Sequence, residues 1–221
     1  MAESFPRQQA RTRGFSLGVP RSFQISPEGD RVVFLRSKGG ADPVTCLWVL
    51  DVASGQEWLA ADPVAAGGGG DVPEEEKARR ERTRETAGGI VAFAADRAFT
   101  LAAFMLAGQV YVADLTGGEA GAPRPVPART PALDPRPDPT GQRVAYVCEG
   151  ALRVTGLRTG TDTELIGPAG TPGLTFGLAE FIAAEEMGRL RGYWWAPDGQ
   201  SLLVARVDES PVNRWHIADA A

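Results

Sequence analysis

The chain has 221 residues, a formal net charge of −5 and a hydrophobic content of 43%. These are ordinary values for a globular protein with a buried core, and the acidic balance argues against a nucleic-acid partner. The N-terminal stretch lacks the apolar core of a signal peptide, and no apolar run is long enough to span a bilayer, so we expect a cytoplasmic protein without a membrane partner.

After a lead segment (residues 1–20), a tight turn followed by an apolar strand recurs along the chain. The first copy covers residues 26–35, where a Pro-Glu-Gly-Asp turn precedes Arg-Val-Val-Phe-Leu. Proline fixes φ for the turn and glycine supplies a positive φ. Two more copies cover residues 138–147 and 196–205, and residues 94–104 form a degenerate copy without the Pro and Gly. Such internal similarity predicts a repeat architecture.

Most copies are followed by further strand signals. Second strands are predicted at residues 47–51, 109–114 and 152–157, and short third strands at residues 57–59 and 164–166. Meanders of short antiparallel strands at this spacing are typical of β-propeller blades, although a β-sandwich also has evenly spaced strands. We therefore expect an all-β, partial β-propeller of about three to four blades, occupying residues 21–221. Because complete rings have about four to eight blades, we expect the chain to be the N-terminal piece of a longer protein.

Residues 61–90 interrupt the repeat with a predicted helix. Pro73 and the glutamates that follow it fit a helix N-terminus, and arginines follow toward the other end. Arg79 and Arg80 each have a glutamate four residues earlier, and most of the arginines are expected to form surface ion pairs. Arg84 is less well neutralised, because its i−4 neighbour is Arg80.

The two cysteines, Cys46 and Cys148, lie in apolar strand-like runs. We expect both to be free buried thiols rather than a disulfide or a metal site. No metal or cofactor site is expected elsewhere.

The second interruption covers residues 173–195. A helical spacing of apolar residues leads into two adjacent carboxylates, Glu185 and Glu186, which fall at or near the predicted helix end. An ammonium group has three donors and no acceptor, so two converging carboxylates could hold it. The alternative is that both glutamates pair with Arg189 and Arg191, and the residues alone leave both interpretations open.

The segment Ala-Glu-Phe-Ile-Ala-Ala-Glu-Glu-Met-Gly-Arg-Leu-Arg-Gly-Tyr-Trp-Trp, residues 179–195, resembles the double-glutamate segment of the dipeptidyl peptidase IV family of serine peptidases. The Arg-x-x-Gly-Tyr-Trp-Trp end of this segment and the predicted helix region at residues 73–90 resemble most the branch with dipeptidyl peptidases eight and nine. The resemblance implies an eight-bladed N-terminal propeller with these two inserts. It implies that Glu185 and Glu186 bind the free amine of a peptide substrate, and that Arg84, or failing it Arg82, contacts a substrate carbonyl. It further implies cleavage of N-terminal dipeptides after proline or alanine, and a possible homodimer in the full-length enzyme.

The catalytic serine, aspartate and histidine of that family belong to a C-terminal α/β-hydrolase domain. We expect this chain to lack both that domain and a G-x-S-x-G nucleophile elbow, and to have no catalytic residue. The one histidine, His216, is expected to be structural. The chain is therefore expected to recognise a substrate N-terminus without cleaving it. The alternatives are a stand-alone propeller module that binds peptides or proteins, and a truncated, inactive product.

Overall fold

A computed structural model describes residues 3–67, 88–117 and 121–213. In it, each turn-and-strand repeat forms a β-hairpin. The turns begin at Ser26, Asp96, Asp138 and Ala196, and each joins a short first strand to the apolar second strand. The degenerate copy is thus confirmed as a member of the repeat. In its turn Phe99 adopts φ +53°, where the other three turns have a glycine with positive φ.

The strands form four successive sheets in which consecutive strands pair antiparallel, and the fourth sheet is divided into two separate strand pairs. The first contains β1 (Arg21–Ile25), β2 (Arg31–Ser37), β3 (Val44–Asp51) and β4 (Glu57–Ala61), and β5 (Gly88–Gly89) pairs in parallel with the start of β3. The second contains β6 (Phe93–Ala95), β7 (Leu101–Leu106), β8 (Gln109–Asp114) and β9 (Arg124–Pro125), and the third β10 (Leu133–Pro137), β11 (Arg143–Cys148), β12 (Ala151–Gly156) and β13 (Asp162–Ile166). The fourth contains β14 (Leu174–Phe176), β15 (Tyr193–Trp195), β16 (Leu202–Val204) and β17 (Arg206–Asp208). In the first three sheets, strands that follow one another in the chain are neighbours, which is the meander of a propeller blade.

Two short helices complete the described chain: α1 (Phe5–Arg11) in the lead segment and α2 (Phe181–Glu185) within the fourth sheet's connections. No helix among the described residues has the length and apolar character needed to cross a bilayer.

The core consists of three apolar clusters, each formed mainly by two consecutive sheets. Val33 and Leu47 of the first sheet pack with Phe104 of the second. Met105 of the second sheet packs with Tyr146 of the third, and Leu152 of the third packs with Tyr193 of the fourth. Since each sheet is covered by its neighbour, the all-β fold of stacked blades, with the helix α2 in an insert, is the partial propeller that the sequence predicts.

An arginine also joins neighbouring blades at equivalent positions. The first residue of β2, Arg31, donates a hydrogen bond to the carbonyl of Phe99 in the second turn, at 2.9 Å. The first residue of β11, Arg143, donates in the same way to Gly199 in the fourth turn, at 2.6 Å. The blades are therefore coupled by polar contacts at the turn end as well as by apolar packing.

Both cysteines are buried and free, as predicted. Burial raises the pKa of the Cys46 thiol to about 11, with a smaller contribution from nearby Asp62, so this thiol stays protonated at neutral pH.

Candidate functional site

The first strand of the fourth sheet is split into two halves. Its partner is continuous from β16 through Ala205 to β17. β14 pairs with β17 and β15 pairs with β16, both antiparallel. Residues 178–191 leave the sheet between β14 and β15 and return to it. This excursion, called the insertion below, lies within the segment 173–195 that the sequence analysis identifies.

Two glycines close the base of the insertion. The Gly177 N–H donates to the carbonyl of Ala205 at 2.9 Å, and the Ala205 N–H donates to the carbonyl of Gly192 at 2.8 Å. The strand pairing therefore passes from one half to the other at a single residue of the partner strand. A Cβ on Gly192 would lie 2.4 Å from the carbonyl carbons of Gly177 and Leu178, so only glycine fits there.

The insertion joins the first strand at the position where two other blades carry a β-bulge. The first strands of the first and third sheets shift register between Arg21 and Gln24 and between Leu133 and Arg136. Ser22 and Asp134, with φ values of +55° and +48°, lie within these shifts. Counted back from its turn, each of these two residues is equivalent to Gly192. Bulges are common next to functional sites, and here the fourth blade expands the bulge position into a loop with a helix.

The helix α2 orients the two candidate glutamates. Its N-cap is Glu180, whose carboxylate accepts hydrogen bonds from the N–H groups of Ile182 at 2.7 Å and Ala183 at 2.8 Å. Glu185 is the last helical residue and Glu186 is the C-cap. Both glutamate side chains are exposed, at the helix end where the sequence places them.

The apolar face predicted for this helix is mostly exposed. Ala183 is buried, but Phe181, Ile182 and Met187 are 57%, 55% and 73% exposed. Large apolar side chains grouped in this way next to acidic ones are typical of an interaction site. The helical spacing therefore predicted the element correctly but not which surface it would cover.

The two arginines that follow are held by other groups. Arg189 lies 3.9 Å from the carboxylate of Glu180 and donates to the carbonyl of Arg191 at 2.7 Å. Arg191 donates through Nε to the carbonyl of Tyr193 at 2.7 Å, and both guanidinium groups lie over the ring of Trp194. Within the described residues, no ion pair joins either arginine to Glu186.

The strand after the insertion is firmly anchored in the third sheet. Tyr193 is fully buried, and its hydroxyl lies within hydrogen-bonding distance of the carbonyls of Asp134 and Ala145. Burial raises the pKa of this phenol well above its ordinary value, so it remains a neutral donor. Trp195 donates through its indole N–H to the carbonyl of Arg136 at 3.3 Å. The insertion thus projects from a rigid base.

The helix predicted from Pro73 onward, up to residue 87, and three candidate residues lie outside the described part of the chain. These three residues are the candidate carbonyl-binding arginines Arg84 and Arg82, together with His216. The geometry described here is therefore that of Glu185 and Glu186 and their surroundings.

The expectation that the sequence lacks a G-x-S-x-G run is wrong, because residues 14–18 read Gly-Phe-Ser-Leu-Gly. A nucleophile elbow places its serine on a turn between a strand and a helix. Ser16 instead follows helix α1 in an exposed turn, and its hydroxyl donates to the carbonyl of Arg13 at 2.7 Å. The run matches the motif in letters but lacks its structural context.

Comparison with known proteins agrees with this architecture. The crystal structure of Porphyromonas gingivalis dipeptidyl peptidase 4 superposes with a TM-score of 0.61 at 17% sequence identity, covering 93% of this chain. The chain spans 28% of the length of that protein, and similarity at this level concerns the fold. The family model for the dipeptidyl peptidase IV N-terminal region matches residues 103–221, more than half of the chain. The chain therefore belongs to the family of dipeptidyl peptidase IV N-terminal regions.

Proposed function

We propose that this chain is the substrate-recognising N-terminal part of a serine-type dipeptidyl peptidase, in which Glu185 and Glu186 bind the free amine of a peptide. The complete enzyme would release N-terminal dipeptides after proline or alanine. Within the family, the proposal favours the branch with dipeptidyl peptidases eight and nine, on the resemblance of residues 179–195.

The observation that carries this proposal is the split strand. Residues 178–191 interrupt the first strand of the fourth blade and do not take part in its pairing with β16 and β17. Backbone groups left out of a sheet need other partners, so such an interruption is not expected without a functional role. The interruption exposes two adjacent carboxylates on a short helix, with Phe181, Ile182 and Met187 exposed beside them. The positive charges nearest in sequence, Arg189 and Arg191, have the partners described above. This arrangement provides negative charge next to apolar surface, which suits the amino end of a peptide.

The chemistry fits an ammonium group in particular. Two carboxylates offer several acceptor oxygens, and three ammonium N–H donors can bind to them with charge-assisted hydrogen bonds. Fixing the amine at one place sets the distance to the bond that is cleaved, which would limit the product to a dipeptide. Arg84, or Arg82 in its place, would hold the first carbonyl with its forked donors.

Catalysis requires groups that we do not assign to this chain. We propose that an α/β-hydrolase domain supplies the nucleophile, since Ser16 lies outside an elbow context. The lead segment (residues 1–20) and the incomplete propeller (residues 21–221) would then serve as a recognition unit in a cytoplasmic enzyme, which could form a homodimer.

A peptide-binding titration tests the amine site. The peptide Ala-Pro-Ala-Ala amide, with a free N-terminal amine, is expected to bind the chain more tightly than its N-acetylated form. Glu185→Gln and Glu186→Gln are each expected to weaken binding of the free-amine peptide about tenfold or more, because each removes a charge-assisted hydrogen bond. Isothermal titration calorimetry measures both effects.

The matched control is Glu209→Gln, which removes an exposed carboxylate of the same blade that is remote in sequence from the insertion. It should leave the affinity for the free-amine peptide unchanged. Equal binding of the free and acetylated peptides, or equal losses in all three variants, would contradict the proposed amine site.

A further inference from the structure

A cavity of about 610 Å³ lies where the first strands of the four blades approach one another. Gln24, Ala94 and Arg136 line it and occupy equivalent positions, each two residues before the first residue of its blade's turn. Trp195 of the fourth blade completes this wall. First strands line the central channel of a propeller, so the cavity faces the channel.

The walls of this cavity carry an excess of positive charge. Arg97, Arg136 and Arg191 come from three different blades, and the acidic residue in the lining is Asp96. Asp96 is 3% exposed, and its carboxylate accepts hydrogen bonds from the Thr100 N–H and hydroxyl and from the Leu101 N–H. The carboxylate oxygens of Asp96 are therefore already hydrogen-bonded within their own turn. Arg136 is neutralised by Asp134, at 2.8 Å.

Arg191 differs from Arg136 in lacking such a close acidic partner. Within the described residues, no carboxylate forms an ion pair with it, and only its Nε has a protein acceptor, the carbonyl of Tyr193. A guanidinium group has five N–H donors, so most of its hydrogen-bonding capacity is available. Burial lowers the pKa of Arg191, with a further contribution from the positive charge of Arg136. A bound anion would relieve both the repulsion and the lost hydration.

Packing fixes this guanidinium in place. It lies over the Trp194 ring at 5.5 Å, and its Nε bond to Tyr193 holds it against a strand whose tyrosine is fully buried. A forked donor held in one orientation is suited to planar two-point recognition of a carboxylate. Arg206, which is exposed on the same blade, instead has an acidic partner, Asp208, at 3.4 Å.

We infer that the channel cavity bounded by Arg191, Arg136 and Arg97 binds a carboxylate of a peptide, with Arg191 as its main contact. The inference rests on the proposed function only in taking a peptide as the ligand. The insertion then carries two charged sites with opposite roles. Glu185 and Glu186 attract an amine, and Arg191 attracts a carboxylate. The complete enzyme would then prefer peptides that carry an acidic group beyond the cleaved bond.

Three acetylated peptides distinguish the sources of the carboxylate. Acetyl-Ala-Pro-Ala-Glu amide has a side-chain carboxylate, acetyl-Ala-Pro-Ala-Gln acid has a terminal carboxylate, and acetyl-Ala-Pro-Ala-Gln amide has neither. At least one of the acidic peptides is expected to bind the chain about tenfold more tightly than the neutral peptide, the gain typical of a charge-assisted hydrogen bond. Chemical-shift titration of the tryptophan indole N–H signals measures all three affinities.

Arg191→Gln should bring the favoured acidic peptide down to the affinity of the neutral one, and Arg206→Gln should not. Because every peptide is acetylated, the result is independent of whether Glu185 and Glu186 bind an amine. Equal affinity for the three peptides, or a preference that survives Arg191→Gln in a folded variant, would overturn the inference.

Discussion

Replacing Gly192 with alanine is expected to lower the free energy of unfolding by about 3 kcal/mol, the upper part of the range for forcing extra volume into a packed site. The added Cβ would lie 2.4 Å from two backbone carbons, those of Gly177 and Leu178. Gly177 cannot move without breaking its hydrogen bond to Ala205, and Leu178 is held by its β-bridge to Arg191. Urea unfolding followed by tryptophan fluorescence measures the loss.

Gly39→Ala is the matched control for that substitution. Gly39 has no positive φ, and a Cβ placed on it would have no atom within 4 Å. Its replacement should change the free energy of unfolding by less than about 1 kcal/mol. If Gly192→Ala unfolds at the same urea concentration as Gly39→Ala, the closed base described for the insertion is incorrect.

Removal of the Asp138 carboxylate is the second substitution with a large expected effect. Asp138 is fully buried and accepts hydrogen bonds from the Gln142 N–H at 2.9 Å and from Nε of Arg143 at 2.8 Å. Arg143 in turn donates to Gly199 of the next blade. Asp138→Ala is expected to cost about 3 kcal/mol, because it leaves the Gln142 N–H and the Arg143 guanidinium without their acceptor. Thermal and urea unfolding both measure this loss.

The contribution of Asp138 also has a definite pH dependence. Burial alone would raise its pKa, but the hydrogen bonds from Arg143 and from the Gln142 backbone hold the pKa below its ordinary value of 3.8. A depressed pKa in the folded state means that the stabilisation is complete above this ordinary value and is lost as the pH falls through the folded pKa. The difference in unfolding free energy between the parent chain and Asp138→Asn should therefore shrink below about pH 4.

The control for Asp138 is Asp198→Ala. Asp198 is exposed in the fourth turn and accepts a hydrogen bond from the Gln200 N–H. Its loss should cost about 1 kcal/mol or less. A constant difference between the parent chain and Asp138→Asn from pH 7 to pH 3 would show that Arg143 does not hold the Asp138 charge.

The sequence predicted the hairpins of the blades because proline, glycine and a following apolar run are local signals. It did not predict the first strands individually, and β10 shows why. This strand contains Pro135 and Pro137, which normally argue against a strand. β10 pairs with β11 alone in its sheet, and an edge strand tolerates proline because fewer of its N–H groups are needed in the ladder.

The candidate site was predictable in part. Adjacent acids after a helical run indicated Glu185 and Glu186 at a helix end, and the structure places them there. The N-cap role of Glu180 had no comparable local signal, because the residues usual at an N-cap are serine, threonine, aspartate and asparagine. The split strand had none, because its halves are joined only through pairing with Ala205, a residue far along the chain. The cavity at Arg191 likewise depends on strands from four blades.

The most direct test of the account is a crystal structure of this chain with the peptide Ala-Pro-Ala-Ala amide. The account predicts that the peptide's amine nitrogen lies about 3 Å from carboxylate oxygens of both Glu185 and Glu186. It also predicts that Arg189 keeps its contact with the Arg191 carbonyl. An amine bound elsewhere, or Glu185 and Glu186 paired with Arg189 and Arg191 in the complex, would contradict it.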